Sequence, residues 1–349
     1  MAVIAMMTVL NVQAQKIQVV DADGYGIPLV SVLSESGVHI GTTNLDGVLS
    51  DVKGATKVAL THVAYKPQLV TVASLQDGRV TMESLDYGLD EVDVKPKQYI
   101  YVEVFYRVYV YRNDSLCYFL SGIMPNVYNP QKKKADYGSY NQAYGEYCSK
   151  FGAAITWGAR AQRYSAGQIP GGGIKKKQNM KDEYFVTIDD SDPNHWVYSN
   201  PEEKVGLFVR SGNLARLTLD AGRMQMYVNK AKGETKMLKR RQDAGYEYQY
   251  TQIYADNEEG EFDRTNFVMY SNHWEYNDKK SHVKFIIENY ATDHGYMDKD
   301  EWKTKKKEIK NQYTSEMTLD QLADYERQHN IPALPDAVRL AIGKLNHIR

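Results

Sequence analysis

From Tyr99 to Arg112 the chain alternates with a period of two. Ile100, Val102, Val104, Val108 and Val110 fall on one face, and Tyr101, Glu103, Arg107, Tyr109 and Tyr111 on the other. A helix would scatter these positions around its axis, whereas a pleated strand sorts them with a period of two. The run is therefore predicted as a long, half-buried strand. Asn113-Asp114 then turns the chain into a second run, Leu116 to Ile123, which predicts a hairpin. Long strands expose unpaired N–H and C=O groups unless they find neighbours. Candidate neighbours follow at Tyr184–Ile188, Leu207–Arg210, Ala215–Leu219, Met224–Val228, Tyr246–Tyr254, Thr265–Tyr270 and Val283–Tyr290. A large antiparallel sheet, strongly curved or partly closed, satisfies the most edges with these parts. The 28 tyrosines among 349 residues agree, because Tyr suits a pleated, half-buried surface.

The period changes toward the C-terminus. Asp300 to Gln312 reads as a charged helix, and Thr318-Leu319-Asp320-Gln321 is a capping-box start for another. Pro335 sits where a third helix begins, ahead of Val338, Leu340, Ala341 and Leu345. Between Gln131 and Lys181 the triplets Lys132–Lys134, Gly171–Gly173 and Lys175–Lys177 separate short Tyr- and Gly-containing pieces, which read as long loops with one short helix.

The front of the chain is built from shorter pieces. Strand signals at Ile17–Val20, Val30–Leu33, Val38–Thr42, Lys57–Thr61, Leu69–Val72, Val80–Met82 and Glu91–Val94 alternate with turns, the pattern of a sandwich. Asp23-Gly24 and Asp46-Gly47 are turn pairs, and Gly24, Gly26 and Gly47 are expected to supply backbone at positive φ. Val32, Leu60 and Val70 are the expected core. The stretch from Gly26-Ile27-Pro28-Leu29-Val30-Ser31-Val32 through Gly41-Thr42-Thr43-Asn44-Leu45-Asp46-Gly47 to His62-Val63-Ala64-Tyr65-Lys66 resembles the carboxypeptidase-regulatory-like domain, a transthyretin-like β-sandwich of Gram-negative envelope proteins. Asn44 stands where that family commonly has Asp, and Ala64 where it has Gly. The resemblance covers residues 15–95 and ends at Lys95-Pro96-Lys97. A Tyr-rich β domain with a helical C-terminus is expected over residues 99–349. Asn330 to Pro335 and Phe105-Tyr106-Arg107 resemble uncharacterised envelope proteins carrying the same front domain. The expected fold class is thus mainly β, with an N-terminal transthyretin-like sandwich before a larger antiparallel domain.

Residues 1–14 read as a signal peptide: an apolar run from Ala2 to Leu10 precedes Val12-Gln13-Ala14, a small-residue cleavage pattern. Export to the periplasm or envelope is the expectation, with the mature chain starting at Gln15. No later stretch is apolar enough for a spanning helix, so the protein is not expected to cross a membrane. A formal charge of −1 provides no field to hold nucleic acid. In an oxidising compartment Cys117 and Cys148 offer one bridge, worth about 3 kcal/mol over a loop of about 30 residues; the alternative is two buried free thiols.

Catalytic patterns are missing. No histidine is followed three places later by Glu, which removes the zinc peptidase pattern, and there is no nucleophile elbow, Walker lysine motif or dinucleotide fingerprint. Asp189-Asp190-Ser191-Asp192 and the Asp256–Asp263 segment lack EF-hand spacing and read as solvated turns. His273, His282 and His294 lie close in sequence, but packed strand histidines are the plainer reading than a metal site. Lys303–Lys307 reads as a solvated face. Tyr137, Tyr140, Tyr144 and Tyr147 recur at spacings that line one helix face, and are the candidate binding residues. No cofactor or metal is expected. The sequence points to an exported, non-enzymatic protein that binds or assembles with an envelope protein or glycan. A lipid-carrier-like half-barrel and a glycan or peptide hydrolase are the alternatives.

Overall fold

The computed structural model describes residues 15–85, 99–129, 134–135, 143–149, 166–169, 184–256, 262, 264, 266–278, 281–311 and 315–348. The fold is mainly β, as the alternation requires. In the front part, β1 (Ile17–Val20), β4 (Val48–Leu49) and β7 (Arg79–Thr81) form one sheet in the order β4-β1-β7. A second sheet, ordered β3-β2-β5-β6, holds β2 (Ser31–Ser34), β3 (His39–Thr42), β5 (Lys57–His62) and β6 (Tyr65–Thr71). Ile17, Val19 and Val80 from the first sheet share a buried cluster with Val32, Leu60 and Val70 from the second. The expected strand at Glu91–Val94 and the boundary at Pro96 lie outside the described residues.

Gly24 and Gly47 take positive φ, at 88° and 73°. Gly26 does not, which corrects the expectation. Its lack of a side chain serves close approach instead: a Cβ there would sit 2.3 Å from the Asp46 carbonyl oxygen.

The second part is one 13-stranded sheet. Its strands are β8 (Tyr99–Arg112), β9 (Ser115–Asn129), β10 (Lys134–Ala135), β11 (Ala143–Cys148), β12 (Thr187–Asp192), β13 (His195–Ser199), β14 (Lys204–Ser211), β15 (Leu214–Leu219), β16 (Glu247–Ala255), β17 (Phe267–Asp278), β18 (Ser281–Met297), β19 (Ser315–Glu316) and β20 (Asn346–His347). The path runs β12-β13-β14-β15-β16-β17-β18-β8-β9-β11-β19, with β10 on β9 and β20 on β11. Helices α1 (Ala221–Ala231) and α2 (Thr235–Asp243) interrupt it between β15 and β16, while α3 (Lys299–Asn311), α4 (Leu319–Gln328) and α5 (Asp336–Gly343) close the chain.

β8 begins and ends where the alternation does, and Asn113 and Asp114, both at positive φ, make the two-residue turn into β9. The strand is covered on both faces, not half-buried as its sequence implied. Val108 and Val110 pack in one cluster, while Phe105, Tyr109 and Tyr111 join the cluster that holds the front strands. That second cluster also takes in Leu334, Val338 and Ile342 from the C-terminal segment. The apolar core therefore runs without a gap from the front sheets to the large sheet.

Met224–Val228, expected as a strand, lies in α1. Asp220 caps this helix by accepting from the Arg223 N–H at 2.9 Å, and Met224 and Val228, four residues apart, bury one stripe. At α4 the predicted capping box is complete: Thr318 Oγ1 accepts from Gln321 N, and the Gln321 side chain accepts from Thr318 N at 2.8 Å.

Candidate functional site

The strands β16, β17 and β18 pair so that Glu247 stands opposite Glu275, and Glu275 opposite Lys284. One step along the same face, Gln249 stands opposite His273. Cross-strand neighbours on one face of a sheet are close enough to interact directly. These five side chains form the floor of a cleft of about 590 Å³. Its other wall is the front part, with His39, Thr42 and Lys53, and the tip of the β8–β9 hairpin at Asn113-Asp114.

The walls are tied together. His39 N donates to the Asp114 carbonyl at 2.9 Å, and Lys53 pairs with the Asp114 carboxylate at 3.0 Å. Asn113 is pinned to β18, donating to the His282 carbonyl and accepting from His282 N, each at 2.9 Å. Lys284 crosses the cleft: its Nζ donates to Thr42 Oγ1 at 2.6 Å and lies 3.4 Å from Glu275 Oε2.

Burial sets the protonation pattern. Lys284 is 6% exposed, and loss of water pulls its pKa below the usual lysine range, against the pull of Glu275. Burial, followed by the charge of Lys284, holds His39 and His273 well below the usual histidine range, so both imidazoles are neutral at pH 7. Burial and a hydrogen bond with Glu275 push the Glu247 carboxyl up to about 7. Two carboxyls in contact share a proton more readily than both ionise.

A pH dependence follows. Because the folded pKa of Glu247 is raised, its contribution favours the folded state below the ordinary carboxylate range and is lost as pH rises through about 7. Glu247, at the start of β16, is an exposed residue, so the effect is screened. Glu247→Gln is expected to be more stable than the parent at pH 8 by about 1 kcal/mol and to lose that advantage at pH 5. Urea unfolding at the two pH values checks this; an unchanged difference would count against a shared proton.

A smaller cavity of about 260 Å³ lies along the same seam, between Asp21, Tyr65 and Leu85 of the front part and Ser211, Arg216 and Ile253 of the sheet. Arg216 donates to Tyr65 Oη and lies 3.8 Å from Asp21 Oδ2.

The residues singled out from sequence are placed differently. Tyr137 and Tyr140 lie outside the described residues. Tyr144 and Tyr147 sit on strand β11, not on a helix, and their odd spacing sends them to opposite faces. Tyr144 is 6% exposed in one cluster; Tyr147, 7% exposed in another, stacks on His347 with ring centroids 4.7 Å apart. Tyr144→Ala is thus expected to cost about 3 kcal/mol of stability through cavity formation. A thermal melt checks it, and an unaltered melt would restore Tyr144 as a candidate binding residue.

Cys117 and Cys148 are both buried, with no disulfide between them in this structure. Burial pushes the Cys117 thiol up to about 11. Of the three histidines considered together, His273 and His282 reach the cleft, whereas the His294 Nε2 lies 2.8 Å from the Phe267 carbonyl oxygen elsewhere. Among the described residues, no three His, Cys, Asp or Glu side chains converge as a metal site. Asp189 is exposed and accepts from Ser191 N at 3.2 Å, while Asp256 pairs with Arg210 at 3.3 Å. Among the described residues, no helix is long and apolar enough to cross a membrane.

Of the cleft residues, Glu247, Gln249, Glu275 and Lys284 were missed from sequence, whereas His273 and His282 were noticed only as packed strand histidines. The available signal was Lys284, a charge at a position flanked by Val283, Phe285, Ile286 and Ile287 in a strand buried on both sides. Comparison with protein-family models, curated proteins and solved structures found no match to this chain.

Proposed function

We propose that this chain is an exported, non-enzymatic protein of the Gram-negative envelope, which binds the polar part of an envelope glycan or protein in the cleft between its front sandwich and its large sheet. The observation that carries this reading is the cleft, about 590 Å³ in volume and lined by Lys284, Glu247, Glu275 and His273. Its size is that of a small-ligand site. Its lining speaks against an acyl chain, because buried charges would face the chain without compensation. The envelope assignment rests on the apolar run before Gln15 and on the resemblance of the front residues to carboxypeptidase-regulatory-like domains.

The carboxyl pair gives the hydrolase reading its one supporting observation. A pair flanking a glycosidic bond stands about 5 to 5.5 Å apart or more, with the bond between. Glu247 and Glu275 are in hydrogen-bonding contact instead, an arrangement that suits holding a proton or cation better than bond cleavage.

Titration of fluorescently labelled soluble envelope-glycan fragments tests the proposal. Lys284→Met, which keeps the apolar stem and removes the ammonium, is expected to weaken binding about tenfold or more. Equal binding by the variant would move the site elsewhere. Cleavage of the fragments by the parent but not by Glu247→Gln would establish the hydrolase instead. Export is checked by sequencing the mature end after cell fractionation; an intact Met1 in the cytoplasm would sink it.

A further inference from the structure

We infer that the ligand of the cleft carries a protonated primary amine beside a hydroxyl, with the amine seated among Glu247, Glu275 and Gln249 and the hydroxyl on His273. This inference rests on the cleft being the ligand site and names the chemistry it selects.

The charges around the floor are almost all matched. Lys53 pairs with Asp114 at 3.0 Å and Lys284 with Glu275 at 3.4 Å. Arg223, which reaches in from α1, is held by Glu203 and by Asp220, its Nε 3.3 Å from Asp220 Oδ2. Among the described residues Glu247 is the cleft carboxylate with no ion pair of its own: its ladder neighbour is another carboxylate, and Arg223 and Lys284 act on it only through space. Burial and the hydrogen bond with Glu275 then favour a proton on Glu247. A cation at the same place would supply both the charge and the hydrogen-bond donors.

The acceptors suit an ammonium. Such a group has three donors, and Glu247, Glu275 and Gln249 offer three acceptors. The Gln249 Nε2 donates to Asp220 Oδ2 at 2.7 Å, which leaves the amide oxygen for another donor. A divalent metal needs more ligands than this, and among the described residues no set of three acidic, His or Cys side chains offers them.

The hydroxyl comes from an independent observation. His273 is 6% exposed and lines the same cleft, and its buried Nδ1 has no hydrogen-bond partner among the described residues. Buried polar atoms without partners are uncommon, and a ligand group that meets one recovers a desolvation cost already incurred. Since His273 stands directly opposite Gln249, a hydroxyl there lies next to the amine. Aminated polyols, amino sugars foremost, have these two groups on adjacent carbons.

The test titrates the full chain at pH 7 and low salt with glucosamine, N-acetylglucosamine and glucose, following binding by heteronuclear NMR and calorimetry. Glucosamine is expected to bind about tenfold more tightly than either neutral sugar. It is also expected to displace the proton held by Glu247, which is read from heats in buffers of different ionisation enthalpy. Asp220, Arg223, His273, His282 and Lys284 face the pair and stay in place in the key variants. Glu247→Gln and Glu275→Gln should each remove the preference for glucosamine while leaving N-acetylglucosamine unchanged. Equal binding of the three sugars, indifference of glucosamine to both substitutions, or no binding by any of them would overturn the inference. The glycan-fragment titration with Lys284→Met does not depend on the amine, and so shows separately whether the cleft is the site.

Discussion

Replacing Arg107 by methionine is expected to destabilise the protein by about 3 to 5 kcal/mol, the usual cost of stripping one partner from a buried ionic network. Arg107 is 2% exposed at the centre of β8. Its Nη2 lies 2.8 Å from Glu326 Oε1 on α4 and donates to the Pro332 carbonyl at 2.6 Å, while Nη1 is 3.5 Å from Glu288 Oε2 on β18. Tyr109 adds a hydrogen bond to Glu288 at 2.9 Å. The guanidinium also stacks over Phe105 and Tyr290, 5.6 and 5.5 Å from their ring centroids. Methionine fills much of the volume but deprives two buried carboxylates, Glu288 and Glu326, of the guanidinium they share. Among the described residues, Glu326, at 2% exposure, would keep Arg339 at 3.4 Å as its one cationic partner. Urea unfolding should therefore show a much lower midpoint, and Arg107→Met combined with Glu326→Gln should recover part of the loss. A cost below about 1 kcal/mol, or no recovery in the double variant, would mean that the C-terminal helices are held by apolar packing alone.

Gly47→Ala is expected to cost about 3 kcal/mol or more, because two penalties coincide. The residue is at φ 73°, and a Cβ there would sit 2.2 Å from the Val19 carbonyl oxygen and 2.7 Å from Ile27 N. The two atoms are the acceptor and donor of one bond in the front part, Ile27 N to the Val19 carbonyl at 2.9 Å, and Val19 N in turn donates to the Gly47 carbonyl at 2.8 Å. Neither neighbour can retreat, since each is backbone. Gly54→Ala separates the penalties. At φ 72° with nothing within 4 Å of its Cβ, it should cost only the backbone term, about 1 to 2 kcal/mol. Equal losses at the two positions would remove close approach from the explanation.

The parts of the fold that were legible in sequence are those fixed by short-range physics. The alternation from Tyr99 to Arg112 coincides with β8, because side-chain direction in a strand depends on nothing beyond the strand. Asn113-Asp114 announced its turn through residues that tolerate positive φ, and Thr318 to Gln321 announced a helix start through two bonds confined to four residues. Short windows failed where two periods fit equally well. Met224–Val228 reads as a strand by composition, yet its buried pair is spaced by four; Tyr144 and Tyr147 reverse the error, with helical spacing on a strand.

The sequence by itself determined that the chain would form long antiparallel strands, where the main turns and helix caps would fall, and that a glycine-punctuated front part would precede a Tyr-rich sheet. Only the tertiary structure decided what those strands bring together. Glu247, Glu275 and Lys284 meet because two ladders adopt one register, and a slip of one residue would send each to the other face. His39 and Thr42 join them only because the front part docks on that face, through an apolar core shared by both parts. Register and docking are settled by packing summed over the whole sheet, so no local stretch of residues carries their signature.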